Sequence, residues 1–219
     1  MIVAIDGPAG AGKSTVAREL AARLGIGYLN TGAMYRAVAL LALETDAVPE
    51  DGGALAELAR SHEIRLLAGA TGERVVVDGR DVTEAVRAQA VTGIVSQVSA
   101  HRAVRDEIVG LQREVLATGD WVVDGRDIGS VVCPDADIKI YLTADPRERA
   151  RRRRDELVAE GADVDLEDVL QEIMERDRID STRQESPLVV PHGATVVDTS
   201  SVAAGAVVDR LIEIVEAPR

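Results

Sequence analysis

Nine consecutive residues near the start, Gly7, Pro8, Ala9, Gly10, Ala11, Gly12, Lys13, Ser14 and Thr15, carry the clearest chemistry in the chain. They follow the apolar run Ile2-Val3-Ala4-Ile5 and precede an amphipathic helical pattern over about 14–24 that closes at Gly25. Glycines at this spacing let successive backbone N–H groups turn inward on a chain of phosphates. A helix opening at Gly12 or Lys13 adds the positive end of its dipole. Lys13 would neutralise β- and γ-phosphates, and the Ser14 hydroxyl would hold Mg²⁺. This is a P-loop in the strand-before, helix-after context that the chemistry needs. The chain otherwise avoids lysine, with only Lys13 and Lys139 among 25 basic residues, so a compact, flexible ammonium is a specific choice at position 13.

Further groups could serve a second substrate. Asp124 ends the apolar run Trp121-Val122-Val123, the place of a Walker-B-type carboxylate that orders Mg²⁺ or its waters. Gly125-Arg126-Asp127 follows, setting a cation and an anion at the C-terminal end of a strand, where open α/β sheets bind ligands. Arg36 stands one turn into a helix opened by Asn30-Thr31-Gly32 and can point at an anion there. Arg176, Asp180 and Arg183 are spaced to share one helix face. Residues 147–154 hold six arginines and one glutamate, followed by an acidic stretch from Asp155 to Glu172. A solvated helix face accounts for some of these arginines. Six like charges on two turns still call for an anion, either that acidic stretch or a bound phosphate chain. Arginines over a transferring γ-phosphoryl group are worth ~10³ to 10⁵ in rate.

The elements that must position these groups alternate along the chain. Strands are predicted near 2–5, 28–29, 121–124, 138–142 and 195–197, and helices over about 14–24, 33–43, 54–61, 146–160, 166–179 and 202–215. Between them, 64–67 and 74–77 read as two strands joined by Gly69-Ala70-Thr71-Gly72, which is hairpin chemistry, followed by two or three helical segments to about 116. The expectation is an α/β protein whose parallel sheet is flanked by helices and carries an inserted antiparallel piece.

Composition limits the partners. At 219 residues the chain suits one well-buried α/β core plus an insertion, with an aliphatic interior, since it has no Phe and one Trp. A formal net charge of −13 disfavours duplex nucleic acid and anionic membranes alike. No apolar run approaches the ~20 residues of a membrane span, and the start of the chain enters a strand directly, so a soluble, cytoplasmic protein is expected. The single Cys133 allows no intrachain disulfide, and the three histidines are scattered.

Taken together, these residues resemble bacterial cytidylate kinases, the (d)CMP kinase branch of the nucleoside monophosphate kinases. The resemblance runs almost end to end. It rests on the segment from Ile5 to Lys13, on Thr31-Gly32-Ala33-Met34-Tyr35-Arg36, on Ser96-Gln97-Val98, on Asp124-Gly125-Arg126-Asp127-Ile128-Gly129, and on Glu175-Arg176-Asp177 through Arg183. Thr31 stands where the family often has Ser, which keeps the hydroxyl, and Ile179 interrupts a stretch often richer in charge.

The resemblance implies a P-loop NTPase-type parallel sheet flanked by helices, with an inserted nucleoside-monophosphate-binding subdomain and a short lid. Residues 1–62 and 106–219 would form the core, 63–105 the insert and 150–164 the lid, all in a single kinase domain. It implies ATP at Gly7 to Thr15 and a CMP or dCMP phosphate held by Arg36, Arg126 and Arg183, with Thr31 nearby. Arg176 and Asp180 would contact the ribose, and Ser96, Arg105 and Asp127 would read cytosine. Arg152 and Arg153 would close on ATP, beside Lys13, Arg126 and Asp124, with Mg²⁺ at Ser14 and Asp124, directly or through water. A monomer with no nucleic-acid or membrane partner is implied.

The base-reading trio also makes chemical sense by itself. Cytosine offers an N4 amino donor beside N3 and O2 acceptors, which a carboxylate and a guanidinium complement. Uracil would set O4 against the carboxylate and leave polar groups unpaired. Two other readings compete. One is a P-loop kinase for another small molecule, such as a different monophosphate or a metabolite alcohol; an alcohol would need a base at its acceptor and fewer phosphate-directed arginines. The other is a nucleotide-dependent switch that binds protein partners and hydrolyses slowly; a guanine-reading switch would normally carry Asn-Lys-x-Asp, but the only Asn is Asn30, followed by Thr31.

Overall fold

A computed structural model describes residues 1–69, 72–159 and 161–217. By internal contacts the chain divides into two compact units, Met1–Tyr28 with Gly119–Arg219, and Leu29–Thr118.

The first unit is built on a five-stranded sheet in the order β2-β6-β1-β7-β8. Its strands are β1 Ile2–Asp6, β2 Gly27–Asn30 (its last two residues counted in the second unit), β6 Trp121–Gly125, β7 Ile138–Thr143 and β8 Thr195–Asp198. β1 pairs in parallel with β6 and with β7, and β7 in parallel with β8. A central parallel strand is covered on both faces, which is why β1 reads as an unbroken apolar run. Its register sets Ile5 beside Asp124 and Asp6 beside Gly125. The two chemistry-bearing segments that follow β1 and β6 therefore leave the sheet at the same end.

Helix α1 (Lys13–Leu24) packs on α8 (Ala204–Glu216), and Val16, Leu20 and Leu211 join Val3, Ile5, Val122, Ile140 and Leu142 in one aliphatic core. Each such side chain contributes roughly 1.5–3 kcal/mol when fully buried. Helix α1 ends at Gly25, in the left-handed region at φ 68°, whose N–H returns to carbonyls of the last turn. Helices α6 (Pro146–Ala159) and α7 (Leu166–Thr182) pack together through Ala150, Val169 and Ile173.

The second unit holds α2 (Thr31–Glu44), α3 (Gly52–Ser61), α4 (Gln89–Ala100), α5 (Arg102–Leu116) and an antiparallel sheet of β3 (Ile64–Gly69), β4 (Gly72–Val77) and β5 (Arg80–Asp81). The Asn30 side chain caps α2 by accepting from Ala33 N, so the helix starts two residues before the expected position 33. Pairing runs from Ile64 opposite Val77 to Gly69 opposite Gly72. The Ala70-Thr71 turn read from the sequence lies outside the described residues, as does Glu160, the expected end of α6. The stretch 63–105 lies wholly within this unit, which also takes in α2, α3 and α5. The reason is packing: Met34, Val38 and Leu41 of α2 and Leu55 of α3 share one core cluster with Val75, Val77, Val95, Val98 and Ile108.

No helix among the described residues is long and apolar enough to cross a membrane.

Candidate active site

The loop between β1 and α1 has the backbone its glycines predict. Gly10 and Gly12 sit in the left-handed region at φ 73° and 83°, where a side chain costs about 1–2 kcal/mol. Gly12 is the first flank of α1, so the opening N–H groups of that helix point into the loop, the geometry that suits an anion. Lys13 is buried, and its Nζ donates to the Pro8 carbonyl at 2.7 Å, folding the side chain back over the loop. Burial and the neighbouring Arg126 charge depress its pKa, with Asp124 partly opposing them. An ammonium so placed is poised for a strong negative charge.

Asp124, at the end of β6, accepts the Ser14 hydroxyl on one oxygen at 2.7 Å and the Tyr28 hydroxyl on the other at 2.9 Å. Burial pushes its carboxyl up, against the pull of those two hydroxyls and of Lys13 and Arg126. The described residues contain no cluster of three or more His, Cys, Asp or Glu that could cage a metal. A hydroxyl beside one carboxylate instead suits Mg²⁺, which keeps several waters and takes its other ligands from phosphates.

Arg126 reaches from the end of β6 to α7. Its Nε donates to Asp180 Oδ2 at 2.8 Å and its Nη1 to the Gly7 carbonyl at 3.0 Å, tying the phosphate loop to α7. Burial alone would raise the Asp180 pKa, but Arg126, Arg176 and Arg183 hold it below the ordinary range. Arg183 lies just past the end of α7, not within it. Its Nε donates to the Ser186 carbonyl at 2.6 Å and its Nη2 approaches Asp127 Oδ1 at 3.7 Å. The structure thus brings Lys13, Ser14 and Asp124 together, and joins Arg126 to Asp180 and Arg183 to Asp127.

The arginine-rich helix divides its side chains. Arg152 donates to Glu148, to the Thr199 hydroxyl at 3.1 Å and to the Thr199 carbonyl at 2.5 Å, and Thr199 in turn donates to the Ala11 carbonyl at 3.3 Å. Arg153 pairs with Glu156 one turn on. The arginine of this helix that donates directly to the loop is Arg149, which the sequence alone did not single out. Its Nη1 donates to the Ala9 carbonyl at 2.9 Å and to Asp177 Oδ2 at 2.6 Å.

Asp6 was also not anticipated. Buried at the end of β1, it accepts the N–H groups of Ile128 at 2.7 Å and Gly129 at 2.8 Å, pinning a single π-helical turn, Ile128–Val132, directly after Asp127. A polar residue closing an apolar strand was the only sequence signal available for it.

In the second unit, Arg36 donates through Nη1 to the Val86 carbonyl at 3.1 Å and to the Thr92 hydroxyl at 2.8 Å. Arg105 is buried, with its guanidinium 5.4 Å from the Tyr35 ring centroid and Nη1 donating to the Ser99 carbonyl at 3.3 Å. Thr31 and Ser96 are buried in α2 and α4.

A parallel sheet flanked by helices, with a glycine-cornered phosphate loop running from its central strand into a helix, defines the P-loop kinase fold. The solved structure of shikimate kinase from Bacteroides thetaiotaomicron is similar, with a TM-score of 0.51 and 12% identity, covering 99% of each chain. Within that fold, the cytidylate kinase family model matches residues 3–217. The cytidylate kinase of Pelotomaculum thermopropionicum is 51% identical over 218 residues, spanning 99% of this chain and 96% of its own. That of Carboxydothermus hydrogenoformans is 48% identical over 215 residues, spanning 98% and 97%. The chain belongs to the cytidylate kinase family.

Proposed function

We propose that this protein transfers the γ-phosphoryl group of ATP to the 5′-phosphate of CMP or dCMP, giving ADP and CDP or dCDP for pyrimidine nucleotide metabolism. The observation that carries the reading is a family match over almost the whole chain, joined to a P-loop whose Lys13 is buried and whose Ser14 donates to Asp124 at the end of β6.

An oxygen of the acceptor phosphate attacks the γ-phosphorus as the bond to the β-bridging oxygen breaks, and ADP leaves. That oxygen is nucleophilic at neutral pH without losing a proton, so no general base is required. The protein's task reduces to positioning and charge neutralisation. Within the loop Gly7 to Thr15, the amides from Gly10 onward wrap the ATP phosphates, and Lys13 places its ammonium on the β- and γ-oxygens. Ser14 and Asp124 would hold Mg²⁺, directly or through water, and the ion would neutralise charge on the phosphates. Arg126, with Arg152 and Arg153, stabilises the charge developing on the transferred group.

For the acceptor, Arg126 and Arg183 hold its phosphate, Arg176 and Asp180 its ribose, and Asp127 the cytosine N4. In the second unit, Thr31 and Arg36 are assigned to the phosphate and Ser96 and Arg105 to the base. The Arg126–Asp180 hydrogen bond supports this assignment, since it orients a guanidinium beside the loop. Residues 63–105 serve as the monophosphate-binding insert and 150–164 as the lid, whose closure keeps water from the γ-phosphate. The protein works as a cytoplasmic monomer, with neither nucleic acid nor membrane as partner; the surplus of 13 negative charges supports the last two.

The test is to follow the label from γ-³²P-ATP. Label recovered in CDP and dependent on CMP supports the reading. Label released only as inorganic phosphate overturns it.

A further inference from the structure

Ala9 lies in the first turn of the phosphate loop, and both ends of its residue are gripped by side chains from two different helices. Its N–H donates to Asp177 Oδ1 on α7 at 3.3 Å, and its carbonyl accepts Arg149 Nη1 from α6 at 2.9 Å. The same Nη1 donates to Asp177 Oδ2 at 2.6 Å. The three residues close a ring: amide to carboxylate, carboxylate to guanidinium, guanidinium to carbonyl. Arg149 is further fixed by its Nε, which donates to the Ala144 carbonyl at 3.0 Å at the base of α6. The helix backbone also presses on the loop here, because a Cβ on Gly10 would come within 3.0 Å of both Cβ and the carbonyl oxygen of Arg149. Arg149 is 5% exposed, so this is an interior joint and not a surface ion pair.

The location gives the ring its significance. Arg149 stands one turn before Arg152 and Arg153, and Asp177 stands between Arg176 and Asp180. A loop fixed to both helices at Ala9 holds its remaining amides, Gly10 through Ser14, in register with the arginines those helices carry. A charged pair set against one peptide of a phosphate loop, its arginine buried and its carboxylate partly so, is otherwise poorly placed, because the carboxylate repels the phosphates the loop must bind. The guanidinium that neutralises it reads as part of the device.

We propose that Arg149 and Asp177 are positioning residues for phosphoryl transfer, setting the phosphate loop against α6 and α7 without touching substrate. The proposal rests on the ATP-binding reading of the loop, not on the identity of the acceptor.

Charge-conserving variants separate geometry from electrostatics. Arg149→Lys keeps the cation but offers one donor nitrogen where Arg149 uses two, Nε for Ala144 and Nη1 for Ala9 and Asp177, and Asp177→Glu keeps the anion on a longer arm. ADP affinity is measured by calorimetry with no acceptor present, and kcat with CMP. Each single variant is expected to bind ADP about tenfold more weakly and to lose kcat, as a displacement of about 1 Å in a positioning element does. The double variant should bind no more weakly than the weaker single one, because a ring opened once is open. Affinity and kcat within about twofold of the parent in a folded single variant, with only a lower Tm, would overturn the proposal and leave a structural pair. One folded variant is enough to decide. A parent that binds ADP but does not phosphorylate CMP would count against the proposed reaction and leave the calorimetric test in force.

Discussion

Asp6 accepts the backbone N–H of Gly129 at 2.8 Å from a position with no exposure to solvent, holding the turn that follows Arg126 and Asp127. Burial outweighs this bond and its companion from Ile128, and pushes the carboxyl up from 3.8 to about 6. Lys13 opposes the shift and Asp127 adds to it. The end of β1 thus carries the cost of an ionised, buried anchor for the segment after β6.

That anchor has a pH signature. Between roughly pH 4 and 6 the folded chain holds a proton that the unfolded chain has released, so the contribution of Asp6 to stability falls as pH rises. Below this window both states are protonated; above it the full cost, about 3 kcal/mol, is present. Asp6→Asn removes the titration but leaves one of the two N–H groups without an acceptor, a loss of about 1–3 kcal/mol that does not vary with pH. Urea unfolding of both proteins should therefore show the variant's deficit shrinking from about pH 4 to about pH 7. A deficit constant across that range would contradict the account.

Lys13→Ala should lower kcat about 10²- to 10³-fold while the protein stays folded, since the ammonium acts on charge that grows in the transition state. Steady-state rates at saturating Mg·ATP, beside a circular dichroism melt, measure this. Near-normal turnover would remove Lys13 from the machinery.

Asp127→Ala should narrow the preference for CMP over UMP and leave ADP affinity intact. The carboxylate favours the N4 amino group and repels O4, so its loss helps the wrong base relative to the right one. An unchanged ratio of kcat/KM for UMP and CMP would refute the base-reading role.

Gly27→Ala tests the packing beneath the sheet. A Cβ there would meet the Trp121 ring at 2.4 Å, and the Gly27 N–H donates to the Asp120 carbonyl at 3.0 Å, so the strand has little freedom to retreat. The variant should lose about 1–3 kcal/mol of stability, read as a lower Tm. A Tm equal to the parent's would show that the ring gives way freely.

Much of this arrangement was legible in the residues. The loop from Gly7 to Thr15 announced itself because its chemistry is local, and the apolar run of β1 gave a central parallel strand because burial on both faces leaves that mark. Asp124 was readable from its place at a strand end. Arg149 was not, because it is one of six arginines in eight positions and only the tertiary approach of α6 to Gly10 distinguishes it. The π-helical turn Ile128–Val132 and the two-residue strand β5 are too short to leave any periodicity. The extent of the second unit was hidden for a similar reason. The buried face of α2 looks the same in sequence whichever elements it packs against, and its partners come from residues as far along as Ile108.

The central claim is tested most directly by ADP formation from Mg·ATP with CMP, dCMP, UMP, AMP and GMP offered in turn, beside a control without acceptor. Rapid turnover with CMP and dCMP, and little with the other three, is the predicted result. Slow ADP release that does not depend on the acceptor would contradict it, leaving a phosphate loop that hydrolyses ATP without a monophosphate to receive the phosphoryl group.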